Sequence, residues 1–280
     1  MKMNTILLPT DFSENSKNAI TYALDFFRGQ PCTFYFLNVQ KVSQYVTAEV
    51  RSASLKNSLY DAVIADNKKE LSSFISAIKK EYENEEYIFH EKLDYDVFID
   101  AIKQAVSLYK IDLIIMGTNG ATGAKEVLFG SNTLNVIRNV DCPVLAIPEN
   151  FSFEKMKYSL FSLHHGSVVN KEKLEPFFNL IEKHDETHIH ILDIDDDSIA
   201  DANPLENRNL QDSFKGKQHT FHAITGIPTP IAINTFIQLF NISLHAMFIE
   251  RESFLERFIF GSETSKISYE TRVPLLLMHQ

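Results

Sequence analysis

Two stretches of this chain, 131 positions apart, carry the same pattern of apolar strand, turn and hydroxyl residues. Residues 111–116 (Ile-Asp-Leu-Ile-Ile-Met) correspond to residues 242–247 (Ile-Ser-Leu-His-Ala-Met). Likewise, Gly-Ser-Asn-Thr at 130–133 corresponds to Gly-Ser-Glu-Thr at 261–264. The match runs without a gap over about forty residues. A repeat of this length indicates that one folding unit has been duplicated, since solenoid repeats are shorter and more numerous.

Nearer the start of each half the offset between matching residues is larger. Residues 33–39 (Thr-Phe-Tyr-Phe-Leu-Asn-Val) correspond to residues 188–194 (His-Ile-His-Ile-Leu-Asp-Ile) at an offset of 155. The difference, 155 minus 131, means that the second half lacks about 24 residues in its middle. A chain of 280 residues fits two domains that each bury a core. We therefore expect domains at residues 1–150 and 151–280, joined without a long linker.

The composition excludes several classes of protein. A net charge of −10 argues against a general nucleic-acid surface, so no nucleic-acid partner is expected. There is no secretory signal pattern and no apolar run of about 18 residues, which predicts no membrane partner and a cytoplasmic location. The two cysteines, Cys32 and Cys142, make no disulfide framework, and we interpret them as buried apolar residues rather than reactive thiols.

Short apolar strands alternate with helical patterns along both halves. In the first half the strands are predicted at 3–8, 33–39, 87–93, 113–116 and 144–147, and the helices at 14–27, within 40–84, at 97–109 and at 131–140. In the second half the strands are predicted at 160–163, 189–194, 219–224, 244–249 and 275–278, and the helices at 174–183, 203–214, 231–239 and after Gly261. This alternation predicts an α/β chain of two tandem open-sheet domains, each a mainly parallel five-stranded sheet with helices on both faces.

The last strand of each half is short and apolar, at residues 144–147 and 275–278. Left open, each would be an adhesive sheet edge. We expect the two strands to pair with one another, so that the chain forms an internal pseudo-dimer. Whether the whole chain also forms a homodimer is left open by the sequence.

A glycine motif, G-x2-G-x9-G-S-x-T, joins the strand at 113–116 to the following helix. Its fixed residues are Gly117, Gly120, Gly130, Ser131 and Thr133. Glycines between a strand and a helix allow backbone N–H groups to approach a phosphate, and the hydroxyls suit a nucleotide triphosphate. The alternative is that the glycines only form a turn and the hydroxyls only cap the helix. It is not a Walker loop, because no Gly-Lys-Ser/Thr follows the glycines.

Three segments of the first half together resemble the nucleotide-binding subclass of the universal stress protein family. They are Leu-Leu-Pro-Thr-Asp-Phe-Ser at 7–13, the glycine motif at 117–133, and Asp-Cys-Pro-Val-Leu-Ala-Ile at 141–147. The second half, from residue 155, resembles the same family more weakly. The resemblance implies an adenine nucleotide alpha hydrolase-like fold, with one intact and one degenerate domain.

The resemblance also implies an ATP site, where Mg²⁺ could bind together with the nucleotide. Asp11 and Val39 would hold the adenine and ribose, while Pro9 and Thr10 shape that wall. The remaining residues implied at the site are Met116 and Gly117 beside the ribose, Gly120 and Gly130 where the loop closes, and Ser131, Asn132 and Thr133 at the β- and γ-phosphates. Asp11 could instead only cap a helix, and Lys125 could either reach a phosphate or remain a solvated loop residue.

The second half has lost much of this pattern. Phe248 and Arg251 take the places of two motif glycines, and Phe248 would fill the space of the sugar. At the offset of 155, residues 9–11 become His-His-Gly at 164–166, so the carboxylate is missing. We expect no ATP there, and interpret residues 261–264 as a remnant helix cap. His188 and His190 share a strand face, which we interpret as solvated rather than as a metal site.

Three functions remain compatible with these patterns. The first is a stress-response protein that binds ATP in its first domain and acts as a nucleotide-dependent regulatory or binding module on an unidentified protein partner. The second is a slow ATPase or nucleotidyl-transfer enzyme, although no catalytic residue or metal ligand is assigned. The third is a nucleotide-free structural or interaction protein. Fold alone does not decide among them.

Overall fold

The computed structural model describes residues 4–40, 53–95, 97–118, 129–184, 187–195, 208–249 and 272–279. The first half contains β1 (Thr5–Pro9), α1 (Glu14–Phe26), β2 (Cys32–Val39), α2 (Ala53–Glu81), β3 (Tyr87–Asp94), α3 (Phe98–Tyr109), β4 (Leu113–Gly117), α4 (Ser131–Asn139) and β5 (Val144–Ile147). The second half contains β6 (Tyr158–His164), a 3-10 turn (Lys171–Leu174), α5 (Glu175–Ile181), β7 (His188–Asp195), α6 (Arg208–Ser213), β8 (His219–Thr225), α7 (Thr229–Leu239), β9 (Leu244–Ile249) and β10 (Leu275–His279).

All these strands join in one ten-stranded sheet of order β3-β2-β1-β4-β5-β10-β9-β6-β7-β8. Each half contributes five strands in the same order, and neighbours within a half are parallel. The halves meet where β5 and β10 run antiparallel, with Leu145 opposite Leu276. The predicted pairing of the two last strands is therefore confirmed, and it gives the sheet a pseudo-twofold arrangement.

Helices cover both faces of the sheet because the central strands are apolar on both sides. One core joins β1 side chains such as Ile6 and Leu8 to α1, α2, α5 and α6. The other joins the opposite face, including Leu7, to α3, α4 and α7. The predicted α/β architecture with a mainly parallel sheet and helices on both faces is confirmed.

The two halves correspond in backbone details as well as in topology. Lys110 follows α3 in the left-handed region at φ 54°, and Asn241, 131 positions later, follows α7 at φ 50°. Both residues end a helix just before the strand that lies next to the central one of its half. The same rare backbone conformation thus recurs at corresponding positions.

Strand register corrects one of the sequence offsets. Thr5 lies opposite Thr33 in the first half, whereas Tyr158 lies opposite His188 in the second. The offset of 155 thus holds for β2 and β7, but β1 corresponds to β6 at an offset of 153. The connection through the first helix is two residues longer in the second half. Asp11 therefore corresponds to His164, not to Gly166.

Several predicted helix boundaries differ from those in the structure. The helix predicted at 174–183 is α5, which begins at Glu175 after the 3-10 turn and ends at Ile181. Of the helix predicted at 203–214 the structure describes α6 (Arg208–Ser213). The helix predicted after Gly261 lies outside the described residues.

Both cysteines are buried, as the sequence predicted. Burial raises the pKa of Cys142 to about 12, so this thiol stays protonated at neutral pH and is not a reactive thiolate. Within the described ranges, no helix combines the length and the apolar character needed to cross a membrane.

Candidate functional site

The predicted site residues of the first half lie along the carboxyl edge of three neighbouring strands. β1 lies between β2 and β4, so the chain passes to one side of β1 and later returns on its other side. Pro9 lies opposite Leu37 of β2, and Leu7 lies opposite Ile114 of β4. Open parallel sheets bind ligands in the crevice at such a switch point. The ends of β1, β2 and β4 bring Asp11, Val39 and Gly117 to this edge.

A sharp turn after β1 presents Asp11 to solvent. The next residue, Phe12, adopts a left-handed backbone with φ 61°, which is strained for an aromatic residue. Its ring is anchored edge-on against Phe74 of α2 at 6.0 Å. Strain that is held in place by packing is typical of functional turns. Asp11 itself is exposed.

The Asp11 carboxylate organises the start of α1 rather than capping the helix itself. Its Oδ1 accepts hydrogen bonds from the Ser13 hydroxyl at 2.5 Å and the Ser13 N–H at 3.1 Å. Ser13 is the N-cap and accepts from the N–H of Ser16. Partial burial raises the pKa of Asp11, but the Ser13 hydroxyl and N–H bonds outweigh it and hold this pKa below its usual value. The group at this edge is therefore an anion at neutral pH.

Thr10 is buried, and both its backbone and its side chain form hydrogen bonds that stabilise the turn after β1. Its hydroxyl lies 3.0 Å from the Ser16 hydroxyl and accepts from the N–H of Phe12 at 3.1 Å. Its carbonyl accepts from Asn38 Nδ2 at 2.7 Å. Asn38 is 1% exposed and ties β1 to β2 beside the site. Sequence reasoning missed Asn38; the signal was an amide within an otherwise apolar strand.

The N-terminus of α4 forms the opposite wall of the site. Its N-cap is Gly130, which has extended backbone angles and provides no side-chain cap. The N–H of Gly130 donates to the carbonyl of Thr118 at 2.7 Å. The Thr133 hydroxyl donates to the carbonyl of Gly117 at 2.9 Å. The start of α4 is thereby fastened to the end of β4.

The side chains predicted to bind phosphate fall into two groups. Ser131 and Asn132 are exposed at the start of α4. Thr133 is 2% exposed, and its hydroxyl hydrogen is used by Gly117. Thr133 thus has a structural role for its side chain, and only its backbone N–H remains for an anion. Met116 is buried in the core behind the edge.

Two predicted residues cannot be placed on this edge. Gly120 and Lys125 lie in residues 119–128, outside the described part of the chain. Their assignment to the phosphates stays a prediction.

The corresponding edge of the second half is built differently. His164 stands where the first half has Asp11, so the carboxylate is missing, as expected. Phe248, in place of Gly117, is 3% exposed and packs edge-on against Phe161 at 5.5 Å. Its ring is therefore part of the hydrophobic core. Arg251 and the remnant cap at 261–264 lie outside the described residues.

The prediction of a solvated histidine face on β7 is wrong for His190. The rings of His188 and His190 do lie on one face, with centroids 5.0 Å apart. However, His190 is 6% exposed, because Phe236 and Phe240 of α7 cover it at 5.7 and 4.5 Å. No metal-binding group of three or more suitable side chains occurs among the described residues.

Comparison with known proteins identifies relatives of the first half. A profile of the universal stress protein family matches residues 2–148. Universal stress protein MJ0531 of Methanocaldococcus jannaschii is 29% identical over 142 residues, covering 51% of this chain and 80% of that protein. Universal stress protein MJ0577 of the same organism is 27% identical over 150 residues, covering 51% of this chain and 93% of that protein.

A solved structure resembles the entire chain. It is a universal stress protein from Archaeoglobus fulgidus, with a TM-score of 0.70 and 19% sequence identity. The similarity covers 100% of this chain and 97% of that chain, and at this identity it shows the fold alone. The profile match spans more than half of the residues, and the chain belongs to the universal stress protein family.

Proposed function

We propose that the first half binds ATP at the edge formed by β1, β2, β4 and the N-terminus of α4. In this proposal residues 1–150 form the nucleotide domain and residues 151–280 a degenerate copy. The chain would then act as a nucleotide-dependent regulatory or binding module on a protein partner, in the cytoplasm. The observation that carries the proposal is the start of α4, which has no side-chain cap. A hydrogen bond from Thr133 holds it to the end of β4, the strand next to β1.

A helix N-terminus without a side-chain cap is suited to a phosphate. The first backbone N–H groups of α4 lack carbonyl partners within the helix, and the helix dipole places positive potential there. Gly130 has no Cβ that would keep a phosphate away from these groups. The exposed side chains of Ser131 and Asn132 add donors at the same end.

The other end of the crevice suits a sugar. Asp11 is ionised and held by Ser13, so it offers a fixed acceptor to ribose hydroxyl groups. It lies at the end of β1, next to the end of β2 where half-buried Val39 can contact the base. A carboxylate would repel phosphate, which supports placing the triphosphate at α4 rather than at β1.

The test compares ATP binding by the full chain and by Gly130→Val in titration calorimetry. The backbone angles at Gly130, φ −60° and ψ 153°, are open to valine. Another helix, α3, already begins after a valine, Val97. The substitution should cost about 1 kcal/mol of stability or less at an N-cap. Its Cβ branches should weaken ATP binding by about a hundredfold, because they block close approach to the N–H groups.

The matched control is Asn170→Val, which changes the N-cap of the 3-10 turn in the second half. It should lose a similar amount of stability and bind ATP like the wild type. Equal ATP affinity in Gly130→Val and the wild type would remove the basis for the phosphate assignment.

A further inference from the structure

The second half contains a cavity of about 700 Å³. It does not lie at the edge of the sheet where we propose that ATP binds. It opens at the amino ends of β6 and β7, whereas the ATP edge lies at the carboxyl ends of strands in the first half. This volume falls within the range of cavities that hold small organic ligands. The residues that line it include Lys155, Lys157, Tyr158, His190, Leu239 and Phe240.

The charges around this cavity are of one sign. Lys155 and Lys157 are exposed at its rim, and none of the described residues that line it is acidic. In the described chain neither lysine forms an ion pair, and no group accepts a hydrogen bond from the N–H of Lys157. Two lysines, one with an N–H that has no acceptor in the described chain, therefore lie on one side of the cavity, which favours an anion.

The deeper wall is aromatic and contains an unsatisfied polar atom. His190 Nδ1 lies 3.0 Å from His222 Nε2, and its ring packs on Phe240 and on Tyr158 at 5.8 Å. His190 Nε2 has no hydrogen-bond partner among the described residues. An unpaired nitrogen in a residue that is 94% buried costs free energy unless a ligand or water supplies its partner.

In the first half two tyrosines occupy the positions that correspond to His190 and Phe240. Tyr35, the counterpart of His190, stacks on Tyr109 with centroids 4.5 Å apart. Tyr109 corresponds to Phe240. His190 and Phe240 keep the same spacing of 4.5 Å in the second half, with a smaller imidazole in place of the phenol.

The first half also binds a carboxylate at the corresponding backbone. Asp112 Oδ2 accepts from the N–H groups of Asn4 and Thr5 at 3.0 and 2.9 Å. Asn4 and Thr5 correspond to Lys157 and Tyr158 by strand register, and Asp112 corresponds to Ser243. The second half has thus lost the internal carboxylate, because Ser243 replaces Asp112, and gained one lysine, because Lys157 replaces Asn4. Lys155 corresponds to Lys2 of the first half.

We propose that this cavity binds a small organic acid, a carboxylate attached to a flat ring. The carboxylate takes the place that Asp112 occupies in the first half, between the N–H of Lys157 and the ammonium groups of Lys155 and Lys157. The ring lies against Phe240 and His190. This site is independent of ATP binding in the first half.

The orientation of the ligand follows from the third wall. The carboxyl-terminal end of α7, at Leu239, carries partial negative charge from its last carbonyl groups. This wall disfavours an anion and accepts hydrogen bonds. The acid group therefore faces the lysines, and the ring is directed toward α7.

The experiment titrates the full chain with 2-naphthoate and, separately, with the neutral analogue 2-naphthamide, using calorimetry with saturating ATP present. We expect one naphthoate per chain and weaker binding of the amide. The double variant Lys155→Gln/Lys157→Gln should weaken naphthoate binding by about tenfold or more, since two charge-assisted contacts are lost. The matched control, Lys171→Gln/Lys173→Gln, makes the same change in net charge at exposed positions elsewhere and should bind like the wild type.

A second variant tests the cavity itself. His190→Tyr copies the first half's Tyr35 and should remove naphthoate binding without changing ATP binding. Inorganic phosphate should bind much more weakly than naphthoate because it has no ring. Equal binding of naphthoate and naphthamide, unchanged binding in the double lysine variant, or no binding at millimolar naphthoate would each overturn the proposal. Gly130→Val should lose ATP binding and still bind naphthoate. The two proposals can therefore be contradicted independently.

Discussion

At the scale of single residues, a buried histidine in β9 marks where the second half departs from the first. His245 is 0% exposed, and its Nε2 lies 2.7 Å from the Ser162 hydroxyl. The corresponding residues of the first half are Ile114 and Pro9, both apolar. Burial lowers the pKa of His245 from 6.5 to about 3, so the folded protein holds this imidazole neutral.

This burial predicts a specific loss of stability in acid. The unfolded chain binds a proton at His245 below about pH 6.5, but the folded chain does so only near pH 3. The contribution of His245 to stability is therefore complete above about pH 6.5 and is lost as the pH falls toward 3. In Ser162→Ala/His245→Ile both partners become apolar, so stability at pH 7 should change by less than about 2 kcal/mol.

Urea unfolding at a series of pH values would measure this effect. The variant should lose less stability than the wild type between pH 7 and pH 4. Parallel pH profiles for the two proteins would show that His245 does not titrate as its burial requires.

Asp11 offers a second test at this scale. Because its carboxylate lies at the end of β1, away from α4, Asp11→Ala should weaken adenosine and ATP alike, by about tenfold. Glu14→Ala is the matched control, since Glu14 is exposed and, among the described residues, pairs with Lys17 within α1. Calorimetry with both ligands gives the answer. A loss confined to ATP would place Asp11 near the phosphates instead of the sugar.

At the scale of elements, the periodicity of the sequence located every strand that the structure describes. Apolar runs of four to eight residues bounded by polar turns are a strong signal for buried parallel strands. The pairing of β5 with β10 was also predictable, because two short apolar edges in one duplicated chain can satisfy each other. Helix ends were less predictable, since the helix predicted at 174–183 extends from Glu175 to Ile181 and follows a 3-10 turn.

The sequence offset that relates β1 to β6 could not be predicted from the apolar pattern. A shift of two residues returns every side chain to the same face of a strand, so an offset of 153 and one of 155 give equal apolar patterns. The hydrogen bonds that distinguish them involve backbone groups only. The cavity at His190 was also not predicted, because its walls include residues of β7 and of the end of α7, which are distant in sequence.

The β5–β10 junction predicts the behaviour of a shortened chain. Truncation near the expected domain boundary at Asn150 would expose the edge of β5, and the structure favours a limit a few residues later. Phe151 and Phe153 pack on Tyr22 of α1 at 6.0 and 5.7 Å, so the fragment 1–154 keeps these contacts. It should dimerise through β5, as the edge would otherwise remain unpaired. Light scattering at micromolar concentration measures its mass; a stable monomer would argue against the importance of this edge.

At the scale of the whole molecule, the fold is nearly symmetric and the chemistry is not. Both halves contribute the same strand order to the sheet. Only the first half keeps Asp11, Gly117 and the glycine-capped helix together at one edge among the described residues. The second half replaces the first two with His164 and Phe248, and places its cavity at the opposite ends of the strands. Relaxed constraint on one copy would allow a different ligand there.

The measurement that tests this account most directly is the number of ATP molecules bound per full-length chain. Equilibrium dialysis at saturating ATP, with magnesium present, should give one nucleotide per chain, because among the described residues only the first half brings the groups proposed to bind phosphate and sugar to one edge. Gly130→Val should reduce that number to near zero under the same conditions. Two nucleotides per wild-type chain, or one that persists in Gly130→Val, would contradict the assignment of ATP to the first half.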